Sequence, residues 1–363
     1  MSTPDAARTA LVVGATGIAG RALCQRLVAD GWNVQGLSRR TPADLPGVQP
    51  VQADLTDADE LARVLAPLRP THVYLTAWAR QETEEQNIAV NGAIVRNVLR
   101  ALSAAGSVRH VGLVTGLKHY LGPFEAYGKG EVPDTPFHED EPRLPYPNFY
   151  YAQEDELVAA AARDGFSWNV HRAHTMVGHA VGNAMNIGQT LAAYAAVCRE
   201  TGRPFTFPGS ATQWDGLTDV TDAGVLADQM VWAATTPDVA DTALNTANGD
   251  VFRWRWLWPR LADALDVRPE GYADAPRPLE EQMRDAAGTW REIAEREGLV
   301  EDRIERVASW WHTDGDLGRD IECLTDQTRS REAGWTGYRS TLASFLDLFA
   351  LLERERVVPA ARA

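Results

Sequence analysis

Residues 11–20 read LVVGATGIAG, and no other stretch of the chain restricts its fold as much. An apolar run with strand character passes directly into Gly14, Gly17 and Gly20 at three-residue spacing, and a helical pattern follows. The first glycine permits a tight turn, the second lets backbone approach a pyrophosphate, and the third allows the helix to pack closely. A helix starting at Ile18 would present free N–H groups and a positive dipole end to phosphates, with Thr16 beside them. A glycine-rich turn without a ligand is the competing reading. The position, near the N-terminus and directly after a buried strand, favours a dinucleotide.

The pattern around this motif is repetitive. Candidate strands at 9–14, 33–38, 48–53, 72–77, 109–115 and 167–172 alternate with helical stretches such as 18–30, 57–66 and 84–105. Strands alternating with helices imply an α/β, Rossmann-type doubly wound parallel sheet with right-handed crossovers. From about residue 181 the rhythm changes to helices at 186–200 and 220–235, one opened by the Trp-rich segment 252–258, and one at 340–354. The expected division is a nucleotide-binding domain over 1–180 and a smaller, mostly helical substrate-binding part over 181–363. Some later segments should return to the first domain. Twelve tryptophans are first explained by core and interdomain packing, with an aromatic substrate pocket as a second use.

Charge narrows the partners. Lys plus Arg total 35 and Asp plus Glu 50, for a formal charge of −15. Nucleic acid requires a basic face, and anionic membrane surfaces attract one, so neither is an expected partner. The three cysteines, Cys24, Cys198 and Cys323, lie far apart without metal-ligand spacing. That usage fits a reducing cytoplasm and predicts no bound metal. Residues 1–8 contain no apolar stretch long enough for a signal peptide.

The second strand bears on which nucleotide is bound. An acid at its end would read a ribose 2′-OH, whereas arginine suits a 2′-phosphate. Here the strand runs into Ser38-Arg39-Arg40, and two guanidinium groups can pair bidentately with a phosphate. Solvated surface arginines are the alternative; NADP(H) is the expected cofactor. Asp54-Leu55 after the third strand and Thr76-Ala77-Trp78 after the fourth complete the expected contacts.

A dinucleotide-binding opening of this kind is used by short-chain dehydrogenases, which normally carry a Tyr followed four positions later by a Lys. Tyr150 and Tyr151 are followed at that spacing by Glu154 and Asp155. Lys118, in TGLKHY, is a candidate replacement. The strings TGLKHYLGPFEAYGK (115–129), NFYYAQEDEL (148–157), SWNVHRAHTMVG (167–178) and NTANGDVFRW (245–254) resemble the progesterone 5β-reductase/iridoid synthase-like family. The likeness runs from the glycine motif to Glu353–Pro359. Members of that family are atypical extended short-chain dehydrogenases that reduce the carbon–carbon double bond of enones and enals with NADPH.

By position, the resemblance implies that Tyr150 is the catalytic tyrosine and Lys118 the displaced lysine. It places Phe124 at the substrate pocket, and Thr115, Met176, Asn183, Ala184 and Met185 near the cofactor. The chain also departs from the family. His174 lies in Arg-Ala-His-Thr-Met where members often read Arg-Pro-Gly-Asn-Ile, and His312 falls where members carry a pocket phenylalanine. Either histidine is a candidate for the substrate pocket, though a lone histidine is more often structural. The chemistry stands without the family name: hydride adds to the β-carbon of an activated alkene, and a tyrosine hydroxyl stabilises the enolate oxygen. A nearby ammonium would lower that tyrosine's pKa from about 10. A carbonyl reductase on the same scaffold, or a catalytically silent NADP-binding regulatory protein, are the alternatives. The expected partner is a small enone or enal, and the chain could work as a monomer or a homodimer.

Overall fold

The computed structural model describes residues 8–40, 45–123, 134–180 and 185–361. Its first elements are β1 (Thr9–Val13), α1 (Ile18–Ala29), β2 (Asn33–Ser38), β3 (Val48–Gln52), α2 (Ala58–Leu65), β4 (His72–Leu75), α3 (Glu84–Ser103), β5 (His110–Gly116), the one-turn α4 (Lys118–Leu121), α5 (Phe149–Asp164) and β6 (Ser167–Ala173), strands and helices alternating except at β2–β3 and α4–α5. Side chains start most of the longer helices: Asp57, Thr83 and Asn148 accept hydrogen bonds from the first turns of α2, α3 and α5. Helix α1 differs. Its N-cap is Gly17, with no side-chain cap and no acid in the first turn.

Seven parallel strands form one sheet in the order Thr242–Thr246, β6, β5, β4, β1, β2, β3. Val13 stands level with Leu37 and Leu75, and Gly116 with Ala173, so the strands end along a shared carboxyl edge. The order reverses at β1, between β4 and β2, and in open parallel sheets such a switch point is where ligands bind. Leu11, Val13, Val73, Val111 and Leu113 of the strands pack with Leu61, Val95, Val98 and Leu157 of the helices into one core. The seventh strand, Thr-Ala-Leu-Asn-Thr, is an element the sequence pattern does not reveal.

The chain divides into two compact units. The first comprises Met1–His174, Gly224–Thr246 and Asp326–Gly337 and contains the whole sheet. The second comprises Thr175–Ala223, Ala247–Thr325 and Tyr338–Ala363. It is mostly helical, with a core of its own in which the rings of Phe205 and Trp258 stack at 4.1 Å and Trp290 is fully buried. Among the described residues no helix is long and apolar enough to cross a membrane.

The glycine motif sets how closely α1 meets β1. Gly14 has φ +91°, a region that L side chains rarely adopt, and a Cβ there would lie 2.9 Å from the Ala77 Cβ. On Gly20 a Cβ would sit 2.2 Å from the Gly14 carbonyl oxygen, whereas on Gly17 it would meet only that oxygen, at 3.4 Å. Helix propensity alone predicts that Gly20→Ala gains about 0.5–1 kcal/mol. The clash should instead cost about 1–3 kcal/mol and lower the thermal midpoint. Gly17→Ala should cost under about 1 kcal/mol, the preference of an N-cap for glycine over alanine. Scanning calorimetry separates the two: a Gly20→Ala midpoint at or above wild type contradicts this packing.

Candidate active site

Of the residues expected to hold a dinucleotide, those of the glycine motif and those that follow β2, β3 and β4 lie at the carboxyl edge, brought there by the strand ends. The Gly14 N–H donates to the Leu37 carbonyl at 2.8 Å, joining the ends of β1 and β2. Thr76 Oγ1 donates to the Val13 carbonyl at 2.8 Å, joining β4 to β1. Thr16 is exposed, Gly14 and Gly17 are half-buried and Ile18 is buried beneath them. The uncapped first turn of α1 therefore offers its N–H groups outward, at the place where a pyrophosphate needs them. Among the described residues, nothing other than the 3.4 Å contact crowds a Cβ on Gly17.

At the end of β2 the buried Ser38 donates from Oγ to the Arg40 carbonyl at 2.5 Å, shaping a turn on which Arg39 and Arg40 are both exposed. Asp54 follows β3; hydrogen bonds from the Thr56 N–H and hydroxyl hold its carboxyl below the usual range, and Arg39 adds to the effect. Leu55, Ala77 and Trp78 are half-buried along the same edge. These features, the uncapped helix terminus above all, fit a nicotinamide dinucleotide.

The exit of β5 brings the reactive candidates together. Thr115 is buried, and its Oγ1 has no hydrogen-bond partner among the described residues. Lys118 begins α4, is 6% exposed, and carries its ammonium over the Phe149 ring, 5.8 Å from the centroid. Phe149 opens α5 and stacks on Trp78 at 5.4 Å, and the Tyr150 ring packs against it at 4.5 Å. The Tyr150 hydroxyl then lies over the end of β5, 3.5 Å from where a Cβ on Gly116 would stand. Tyr150 is only half-buried, and among the described residues its hydroxyl makes no hydrogen bond. Where sequence chemistry expects an ammonium to lower this phenol's pKa, burial raises it, and the Glu84 carboxylate adds to the rise.

Tyr151 is different. Its hydroxyl donates to the His119 carbonyl at 2.7 Å and accepts from the Leu144 N–H at 3.0 Å, with the Arg143 guanidinium over the ring. Both capacities are used within the protein. Glu154 and Asp155, at the positions where a lysine is usual, are paired to Arg143 at 3.0 and 2.7 Å.

The remaining candidates lie on other elements. His174 is buried just after β6. In the second unit, Met176 is half-buried in a two-residue strand that pairs with Thr221–Asp222, and Met185 is half-buried just before the helix Ile187–Thr201. His312 lies on the helix Trp310–Leu317, with Nδ1 3.7 Å from Asp316, which also pairs with Arg319. Phe124, Asn183 and Ala184 lie outside the described residues.

Two residues that the sequence pattern did not single out converge on the same turn. Asn148 caps α5, accepting from the Tyr150 N–H at 3.0 Å, and donates from Nδ2 to the Lys118 carbonyl at 2.6 Å. Glu84 accepts from the Phe149 N–H at 2.7 Å and from Asn87 at 3.1 Å. The available sequence signal was an asparagine immediately before a helical run, which marks an N-cap.

The profile of the NAD dependent epimerase/dehydratase family matches residues 10–247. An (S)-8-oxocitronellyl enol synthase of Camptotheca acuminata is 39% identical, with 98% of this chain and 94% of that protein covered. A 3-oxo-Δ4,5-steroid 5β-reductase of Arabidopsis thaliana is 37% identical over 96% of this chain and 93% of its own. Among solved structures, UDP-glucose 4-epimerase of Thermotoga maritima with UDP-glucose superposes with a TM-score of 0.68 at 15% identity, covering 96% of this chain and 99% of that one. The Bordetella bronchiseptica enzyme WbmG in complex with NAD gives 0.67 at 15% identity, covering 97% and 96%. These two likenesses concern the fold. Sequence identity along nearly the whole length, joined to the dinucleotide edge, makes this chain an oxidoreductase of the extended short-chain dehydrogenase type, a member of the progesterone 5β-reductase/iridoid synthase-like family.

Proposed function

We propose that this protein is an NADPH-dependent ene-reductase that adds hydride to the β-carbon of a small enone or enal. The observation that carries the reading is the Tyr150 hydroxyl, uncommitted to any described residue and held at the carboxyl end of β5, while its neighbour Tyr151 is used up in the fold. The relatives support the substrate class: a 3-oxo-Δ4,5-steroid is an α,β-unsaturated ketone, the bond arrangement that 1,4-addition requires.

A bound nicotinamide supplies the hydride. The chain's own residues do the rest. The uncapped terminus of α1 holds the pyrophosphate, and Arg39 and Arg40 take the 2′-phosphate. As charge builds on the substrate carbonyl oxygen, the Tyr150 hydroxyl donates to it; the raised pKa keeps the phenol protonated, which is the form a donor needs. Lys118, buried beside Phe149, supplies positive charge to the same region. The α-carbon takes its proton from solvent, so no side-chain acid is required for it.

Tyr150→Phe should lower kcat toward 2-cyclohexen-1-one or progesterone by about a hundred- to a thousandfold, the cost of one oxyanion donor. NADPH affinity should change little. Tyr151→Phe should instead lower thermal stability by about 1–3 kcal/mol, because it leaves the half-buried Leu144 N–H and the buried His119 carbonyl without their partner. Its turnover should suffer less. Steady-state kinetics beside thermal melts read both effects, and a larger kcat loss in Tyr151→Phe than in Tyr150→Phe contradicts the assignment.

NADPH should bind more tightly than NADH by roughly ten- to a hundredfold, the value of a charge-assisted hydrogen bond of about 1.5–3 kcal/mol. Replacing Arg39 and Arg40 together with alanine should erase the preference. Equal wild-type dissociation constants for the two cofactors, measured by calorimetry, contradict it.

A further inference from the structure

The one-turn helix that carries Lys118 is held by what packs around it: all four of its residues are buried, and Tyr120 bonds Asn245 and Arg172 through its hydroxyl. Helix α4 has four residues, and its backbone bonds are those of a single turn: Leu121 N–H to the Leu117 carbonyl at 2.9 Å and Gly122 N–H to the Lys118 carbonyl at 3.1 Å. A helix this short has no stability of its own. Its orientation must come from tertiary contacts, and two come from the first turn of α5. Tyr151 donates to the His119 carbonyl, and Asn148 Nδ2 donates to the Lys118 carbonyl at 2.6 Å.

The Asn148 contact joins the two reactive candidates. The residue is 3% exposed. Its Oδ1 accepts from the Tyr150 N–H at 3.0 Å while its Nδ2 donates to the Lys118 carbonyl, so one planar amide bonds the backbone of both. Asparagine is the side chain of this length that presents an acceptor and a donor together. Aspartate or serine could cap the helix equally well. Neither reproduces the pair of bonds: the second aspartate oxygen would face the Lys118 carbonyl, and a serine hydroxyl is too short to serve both groups.

The geometry points to Asn148 as a positioning residue that sets the Lys118 backbone in register with Tyr150, and so fixes where the ammonium stands relative to the tyrosine hydroxyl. It acts through Lys118, since both of its side-chain bonds go to backbone. The inference rests on the reading of Tyr150 and Lys118 as the reactive pair. Helix capping explains the Tyr150 bond by itself, but it gives no account of the second bond, made to a residue thirty positions away.

A double-mutant cycle tests it. Asn148→Asp and Asn148→Ser both keep the cap and lose the donor, one with added charge and one without. Each should lower kcat with NADPH and 2-cyclohexen-1-one by about ten- to a hundredfold, the effect of a small displacement at a reacting centre. The KM for NADPH should stay within about threefold, and the melting midpoint should stay above the assay temperature. In a Lys118→Met background the same changes should alter kcat by less than about threefold, since the residue through which they act is gone. Variants as active as wild type, or a loss of equal size in both backgrounds, overturn the role of Asn148 and leave the reading of the reaction standing. A wild-type enzyme that oxidises no NADPH with 2-cyclohexen-1-one or progesterone overturns that reading, and this inference with it.

Discussion

Backbone closeness at the carboxyl edge is the condition on which the site depends. A side chain at Gly20 would drive into the Gly14 carbonyl at 2.2 Å, and one at Gly116 would meet the Ala173 carbonyl at 2.7 Å. The first contact seats α1 so that its uncapped terminus points over the end of β1. The second keeps the end of β5 flat against β6, leaving room above it for the Tyr150 ring. Parallel strands buried on both faces can expose chemistry only at their ends. Small residues at those ends decide what fits there.

The same edge explains how a short-chain dehydrogenase scaffold can work without its lysine four residues after the tyrosine. Those helix positions are occupied by Glu154 and Asp155, both committed to Arg143. Burial raises the Glu154 pKa, and Arg172 and Arg143 oppose that rise, so the carboxylate is part of a structural network. Arg172 extends the network to the Tyr120 hydroxyl at 3.0 Å and the Glu139 carbonyl at 3.1 Å. A buried cation at the usual position would compete with these partners. In the proposed mechanism the positive charge enters from Lys118, at the end of β5, and the tyrosine serves as a neutral donor. Conjugate reduction asks for no more than that, because the enolate is protonated on carbon.

Much of this was legible in the amino-acid sequence. The runs around Val12, Val34, Val73, Val111 and Val170 are apolar enough to read as buried strands, and the glycine spacing marks the nucleotide edge. The seventh strand was not legible because Asn245 interrupts it. That residue is tolerated in the interior only because it donates to the Phe137 and Asp326 carbonyls, both at 2.9 Å, and to Glu139 at 2.7 Å, all from segments more than eighty residues away. Local periodicity cannot contain such partners. The choice between Tyr150 and Tyr151 has the same character: the two are adjacent in sequence, and what separates them is the His119 carbonyl and Leu144 N–H that engage only one. Asn148 reads in sequence as a cap; its reach to Lys118 belongs to the tertiary structure.

The central claim is that hydride goes to carbon at the β-position and that Tyr150 stabilises the resulting enolate. NADPH carrying deuterium at the transferred C4 position, turned over with 2-cyclohexen-1-one, tests it by NMR of the product. The account predicts cyclohexanone labelled at the former β-carbon, with the α-hydrogen drawn from solvent. 2-Cyclohexen-1-ol labelled at the carbinol carbon would contradict it.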